Sequence, residues 1–354
     1  MTASQSGSAP LSFGIFDQVE WEDRPAGEVF EEHLRLVEYA DDAGFYCYHV
    51  SEHHGTSLSL DTSPGILLAA ASQRTKRIRL GPLVLTLPYY NPYRLANEIS
   101  MLDHLSGGRI EIGLGRGVSP LEAVYFGVTN VEDSRAIYRE SFDILLSAFT
   151  SDVLNYDGEH FTYSDIPLWI SPVQKPYPPL WFPSSNEESI PFTSKHGLNT
   201  VLNNTFTKEA IGDLAAKYKV QLEEHRGDPD RMNGHVAVPK IGLSVKVVLA
   251  PSDAEAERIA RPAFATWAGH IAYLNKRAGA TYRAERGDYD GQRSNSTLLV
   301  GSPERVGDEA AALVAETGIN YLLCSFAFGD LAHEHAMRSM HLFAERVMSG
   351  LADG

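Results

Sequence analysis

The chain has 354 residues, enough for one large domain or two medium ones, and 43% of them are apolar, which supplies a sizeable core. A formal net charge of −16 with no Lys/Arg cluster excludes a nucleic-acid surface, because such a surface works by releasing counterions from a basic face. No run approaches the roughly 18 apolar residues of a membrane span.

In chain order, Met1–Pro10 is small and polar, and reads as a flexible tail rather than a signal peptide. The rest, 11–354, reads as a single domain. Strand-like apolar runs are expected at Leu11–Phe16, Phe45–Val50, Ile78–Leu87, Ile110–Leu114, Leu180–Phe182, Leu198–Leu202, Ile241–Leu249 and Ile319–Phe326. Helical patterns are expected at Glu28–Ala43, Ser63–Arg74, Tyr93–Leu105, Arg135–Phe149, Glu187–His196, Lys208–Arg226, Pro303–Thr317 and Ala332–Met348. This alternation predicts an α/β chain closed as a (β/α)8 TIM barrel, with an open doubly wound sheet as the rival. Two stretches break the rhythm as insertions after strands 4 and 7. Tyr156–Tyr177 reads as a hairpin. Ala268–Ser296, rich in Gly, Tyr and Arg and without a clean period, reads as a mobile lid. Cys47 and Cys324 lie far apart in apolar runs, so no disulfide is expected and a reducing, cytoplasmic setting follows.

In such a barrel the functional side chains stand on the loops after the strands. The second strand runs directly into Ser51-Glu52-His53-His54. A histidine there suits proton transfer, or is a structural ring held by Glu52. Neighbouring histidines on a strand point to opposite faces and no spaced third ligand follows, so no metal is expected. The His333-Glu334-His335 run lacks the spacing of a zinc helix, and no G-x-S-x-G supports a serine hydrolase. The fourth strand ends Gly113-Leu114-Gly115-Arg116-Gly117, which departs from a dinucleotide fingerprint. Its small residues would admit a planar ligand and Arg116 would meet a phosphate; the alternative is a solvated arginine. After the fifth strand, Ser184-Ser185-Asn186-Glu187-Glu188-Ser189 opens a helix whose free N–H groups would cradle an anion, although Ser185 with Glu188 also fits a capping box.

These residues resemble the luciferase-like monooxygenases over nearly the whole chain. The most specific stretch is Arg77–Gly127, with L-P-x-x-x-P, L-D-x-L-S-x-G-R and G-x-x-R-G elements, supported by Val300-Gly301-Ser302-Pro303-Glu304 and Thr317-Gly318-Ile319-Asn320. The resemblance implies reduced FMN at the barrel mouth, with His53 as the catalytic histidine and Arg116, Asn186 and Ser189, with Ser185 nearby, as phosphate ligands. Leu83-Val84 matches the place where family members hold a non-prolyl cis peptide against the flavin. Gly115 stands where luciferase catalytic subunits carry a reactive cysteine, which argues against light emission, and the E-H-H context is similar to the FMN-dependent ketone monooxygenases. The resemblance implies a separate flavin reductase, O2 addition to give a peroxyflavin, a small organic substrate such as an aldehyde or ketone, and a homodimer through the second and third helices. The alternatives are a deazaflavin-dependent oxidoreductase on the same fold, and a non-catalytic flavin-binding or partner subunit.

Overall fold

A computed structural model describes residues 10–21, 23–117, 119–183, 187–278 and 288–352. The first half alternates strand and helix: β1 (Ser12–Asp17), α1 (Ala26–Ala43), β2 (Cys47–Val50), α2 (Pro64–Arg74), β3 (Arg79–Pro82), β4 (Leu85–Thr86), α3 (Pro92–Ser106), β5 (Ile112–Gly115), α4 (Pro120–Tyr125) and α5 (Val131–Thr150). An antiparallel hairpin, β6 (Val153–Asp157) and β7 (Thr162–Pro167), follows. The second half runs β8 (Leu180–Trp181), α6 (Ile190–Lys195), β9 (Thr200–Leu202), α7 (Lys208–Glu224), β10 (Ile241–Leu249), α8 (Asp253–Ala278), α9 (Tyr289–Ser294), β11 (Leu298–Gly301), α10 (Pro303–Thr317), β12 (Tyr321–Ser325) and α11 (His333–Leu342).

Local chemistry sets the helix boundaries. Helix α3 begins where the Asn91 side chain accepts from the Arg94 N–H and Pro92 takes a first-turn position that needs no donor. Helix α10 repeats the device with Ser302 and Pro303. Both bury one apolar stripe, Leu95, Ile99 and Leu102 in α3 and Val306, Ala310 and Leu313 in α10, against the sheet.

Apart from the hairpin, the strands pair in parallel and the sheet curls. One sheet runs β11–β10–β12–β1–β2–β3, with β9 also on β10, and a second runs β4–β5–β8. Single bridges, Leu80 to Ile110 and Trp181 to Asn199, join the two. Inside the curl lie Leu83, Trp181, Tyr321 and Leu323, with Phe16, Val84 and Val201 against them. The larger core lies between sheet and helices.

The buried Glu111 organises the polar part of the interior. It accepts from the Tyr46 hydroxyl, the Trp181 indole and the Arg79 guanidinium, so a carboxylate that would be costly to bury alone is fully engaged. His49 packs edge-on against Trp181, centroids 4.8 Å apart, and is bonded to the Tyr321 hydroxyl at 3.0 Å. Burial pushes this imidazole down to about 3, so it is a neutral packing ring rather than a proton carrier.

Three expectations are corrected. Ile78–Leu87 is two short strands, not one, interrupted by a cis peptide bond at Leu83-Val84, the position that the resemblance implies. Glu187–His196 opens with a 3-10 turn at Glu187–Ser189, and only Ile190–Lys195 is α-helical. Within Ala268–Ser296, α8 continues to Ala278 and α9 occupies Tyr289–Ser294; residues 279–287 lie outside the described residues. Trp267 and Ile271 are the reason for the first stretch. They stand four apart on one helical face and bury against Leu298, Val300 and Phe328, forming a second core with β11. Cys47 and Cys324 are buried and unbridged. No described helix is long and apolar enough to cross a membrane.

Candidate functional site

Strand β2 delivers Ser51-Glu52-His53-His54 to the sheet's C-terminal edge, as expected. The two histidines are held differently. His54 places Nε2 2.9 Å from Glu52 Oε1, and the other oxygen of Glu52 accepts from the Thr86 N–H at 2.8 Å. His53 places Nδ1 3.0 Å from Glu122 Oε1, and the same oxygen accepts from the His54 backbone N–H at 3.0 Å. Nε2 of His53 has no partner among the described residues, and the side chain is partly open. The bland reading of His53, a ring held by Glu52, therefore belongs to His54. Glu122 was not singled out from the sequence. It lies 69 residues from His53, and no local motif marks it.

Arg116 follows the last residue of β5, is exposed, and has no hydrogen-bond or ion-pair partner among the described residues. β5 pairs with β8 through Ile112–Leu180 and Gly113–Trp181, so Phe182 and Pro183 leave the sheet alongside the strand that ends at Gly115. Ser185 and Asn186 lie outside the described residues. Ser189 ends the 3-10 turn, and its carbonyl accepts from the Thr193 hydroxyl. Glu187 is turned to Lys217 at 2.7 Å.

The glycines before Arg116 do something other than the sequence suggested. A Cβ at Gly113 would fall on the Pro82 carbonyl and Leu83, and one at Gly115 would fall on Val84. The space beside them is filled by the chain's own 82–84 segment, so they allow two strands to approach rather than open room for a ligand. Gly117 has φ +84°, a conformation that favours glycine, with Thr86 and Tyr89 against it. Leu83 is buried and Val84 partly so, both beside this glycine strand.

Aromatic rings close one side. Phe126 stacks on Tyr89 with centroids 4.3 Å apart and meets the His54 ring at 4.6 Å. Behind the histidines, Asp61 is buried with Oδ2 unpartnered, and Ser51 Oγ is also unpartnered. Burial, more than the nearby Asp17 and Glu52, pushes the Asp61 carboxyl up to about 7. On the α1 side, Asp17 pairs with His33 at 2.6 Å and accepts from Tyr48 at 2.7 Å. A cavity of about 80 Å³ lies there, bordered by Glu20, His33, Phe328 and His333, but by none of the sequence-predicted site residues. No group of three or more His, Cys, Asp or Glu able to hold a metal occurs among the described residues.

An arrangement with an unspent cation near a histidine that keeps a free ring nitrogen suits an anionic ligand at a site where a proton is moved. Comparison with known proteins agrees. The family model for luciferase-like monooxygenases matches residues 11–321. An uncharacterized protein y4wF of Sinorhizobium fredii is 33% identical over 325 residues, covering 91% of this chain and 92% of that one. Among solved structures, the monooxygenase RslO1 from Streptomyces bottropensis superposes with a TM-score of 0.80 at 24% identity, covering 96% of this chain and 99% of that one. The oxygenating constituent of 3,6-diketocamphane monooxygenase from Pseudomonas putida, a type II Baeyer–Villiger enzyme in complex with FMN, superposes with a TM-score of 0.76 at 22% identity, covering 96% and 98%. The chain belongs to the luciferase-like monooxygenase family and is an enzyme of the flavin-dependent monooxygenase kind.

Proposed function

We propose that this chain is the oxygenating component of a two-component system, which takes reduced FMN from a separate flavin reductase and inserts one atom of O2 into a small organic substrate such as an aldehyde or ketone. The observation that carries this reading is Glu122. It stands six residues after Arg116 and bonds His53, so the unspent cation and the free-nitrogen histidine belong to one connected site. Reduced FMN supplies the electrons that activate dioxygen. Arg116, with Ser185, Asn186 and Ser189, would hold the phosphate; Leu83 and Val84 would bind the ring; His53 would accept or return a proton at Nε2.

The pairing circuit and its two bridges support a closed (β/α)8 barrel, with the β6–β7 hairpin and the α8–β11 excursion as the insertions after its fourth and seventh strands. A cytoplasmic homodimer completes the reading. A deazaflavin enzyme on the same fold would need further cations for that coenzyme's acidic tail, and Arg116 is the sole Lys or Arg in 52–63, 116–124 and 184–189. A non-catalytic subunit has no use for the retained E-H-H and Arg116. The deciding experiment measures oxygen consumption with reduced FMN against hydride transfer from reduced deazaflavin. Oxygen uptake coupled to substrate oxygenation is expected; hydride transfer without oxygen uptake would overturn the reading.

A further inference from the structure

The two histidines of the E-H-H segment are adjacent in sequence yet present opposite chemistry. His54 has Nε2 engaged by Glu52, whereas His53 has Nδ1 engaged by Glu122 and Nε2 left over. Glu122 is 3% exposed, and its Oε1 serves both the His53 ring and the His54 backbone. A carboxylate so buried is retained where its partners compensate it, and both partners here are N–H donors on one dipeptide. Its helix is short but fastened at both ends. The Ser119 hydroxyl accepts from the Glu122 N–H at 3.4 Å, and Phe126, just after α4, packs on the His54 ring.

A carboxylate can only accept, so the neutral His53 ring must carry its hydrogen on Nδ1. Nε2 then keeps its lone pair, and it is the nitrogen with no other partner among the described residues. We propose that Glu122 is the positioning residue for His53: it fixes the Nδ1–H tautomer, so that Nε2 faces the reaction as a proton acceptor. When Nε2 takes a proton the Nδ1 hydrogen stays in place, and the resulting imidazolium lies against the Glu122 carboxylate. The carboxylate itself gains and loses no proton. The inference rests on the reading of His53 as the proton-transfer residue.

The test is a ¹⁵N spectrum of the full chain labelled at histidine, taken at a pH where the ring is neutral, with the His53 signals identified by their loss in His53→Asn. The wild-type protein is expected to show Nδ1–H, Nε2-unprotonated His53. Glu122→Ala is expected to move His53 towards Nε2–H and to lower coupled oxygenation, by less than the roughly 10²–10⁴-fold that loss of a general acid–base group costs. Glu122→Gln, which keeps an acceptor oxygen, is expected to restore the tautomer and most of the turnover. A wild-type His53 protonated at Nε2 overturns the proposal without any variant, and so does Glu122→Ala with the tautomer unchanged. A tautomer that changes while turnover does not leaves the positioning intact and removes His53 from the mechanism instead.

Discussion

Arg116 is an exposed cation in a strongly acidic chain, and no described carboxylate claims it. A hydrogen bond to a charged group contributes about 1.5–3 kcal/mol, or roughly 10–150-fold in affinity. Arg116→Ala is therefore expected to weaken FMN binding by that factor and riboflavin binding much less, since riboflavin lacks the phosphate; equal losses by titration would assign the arginine to the ring or the fold. Asp61 gives a pH prediction. Its folded carboxyl sits at about 7 against an ordinary 3.8, so between those values the folded state holds a proton that the unfolded state has lost. Stability contributed by this group is thus full below about pH 4 and falls as pH rises through 7. Carrying the carboxyl that far corresponds to roughly 4 kcal/mol. Asp61→Asn is expected to gain on the wild type by up to that amount between pH 4.5 and 8 in urea unfolding, and a constant gap would refute it. The site residues were readable in proportion to how local their signal is. His53 follows its strand directly, whereas Glu122 is one glutamate among many until α4 brings it back to β2.

At the scale of elements, β5 and the 82–84 segment are fitted to each other. A methyl group at Gly115 would occupy the place of Val84 Cγ2, so Gly115→Ala is expected to destabilise by about 1–3 kcal/mol, as overpacking does. Combining it with Val84→Ala should recover most of that loss, a coupling that a double-mutant cycle measures and that simple additivity would exclude. The same contact leaves no room for a side chain at Gly115, the position that the resemblance matches to a cysteine in luciferase catalytic subunits: β5 lies too close to Val84. The element boundaries that the sequence missed share a cause. Ile78–Leu87 alternates as one strand because periodicity registers apolar side chains and not the turn of a peptide bond. Residues 268–278 lack strong alternation in composition, yet Trp267 and Ile271 find β11 and Phe328 to bury against, and that tertiary contact sustains the helix.

At the scale of the molecule, the faces of α2 and α3 leave large apolar groups in water: Ile66 is 74% exposed, Met101 54% and Leu105 53%. The two helices pack on each other, so these residues lie on neighbouring elements and suit a self-complementary contact about a two-fold axis. The double variant Ile66→Glu, Met101→Glu is expected to sediment as a monomer where the wild type sediments as a dimer. A monomeric wild type at micromolar concentration would remove the dimer from the reading.

The sequence by itself determined the strand–helix alternation, helices beginning near Tyr93 and at Pro303, the E-H-H and G-x-x-R-G elements, and the family that they carry. Each is written within a few residues of chain, where capping, periodicity and strand ends operate. Only the tertiary structure decided which histidine keeps a free nitrogen, that Glu122 joins His53 to the Arg116 loop, and that Gly113 and Gly115 serve strand packing. It also decided that Asp61 is buried far enough to hold its proton near neutral pH. These depend on distant atoms, such as those of His53 and Glu122 69 positions apart, meeting in one low-dielectric place, and chain closure, not local preference, sets that meeting.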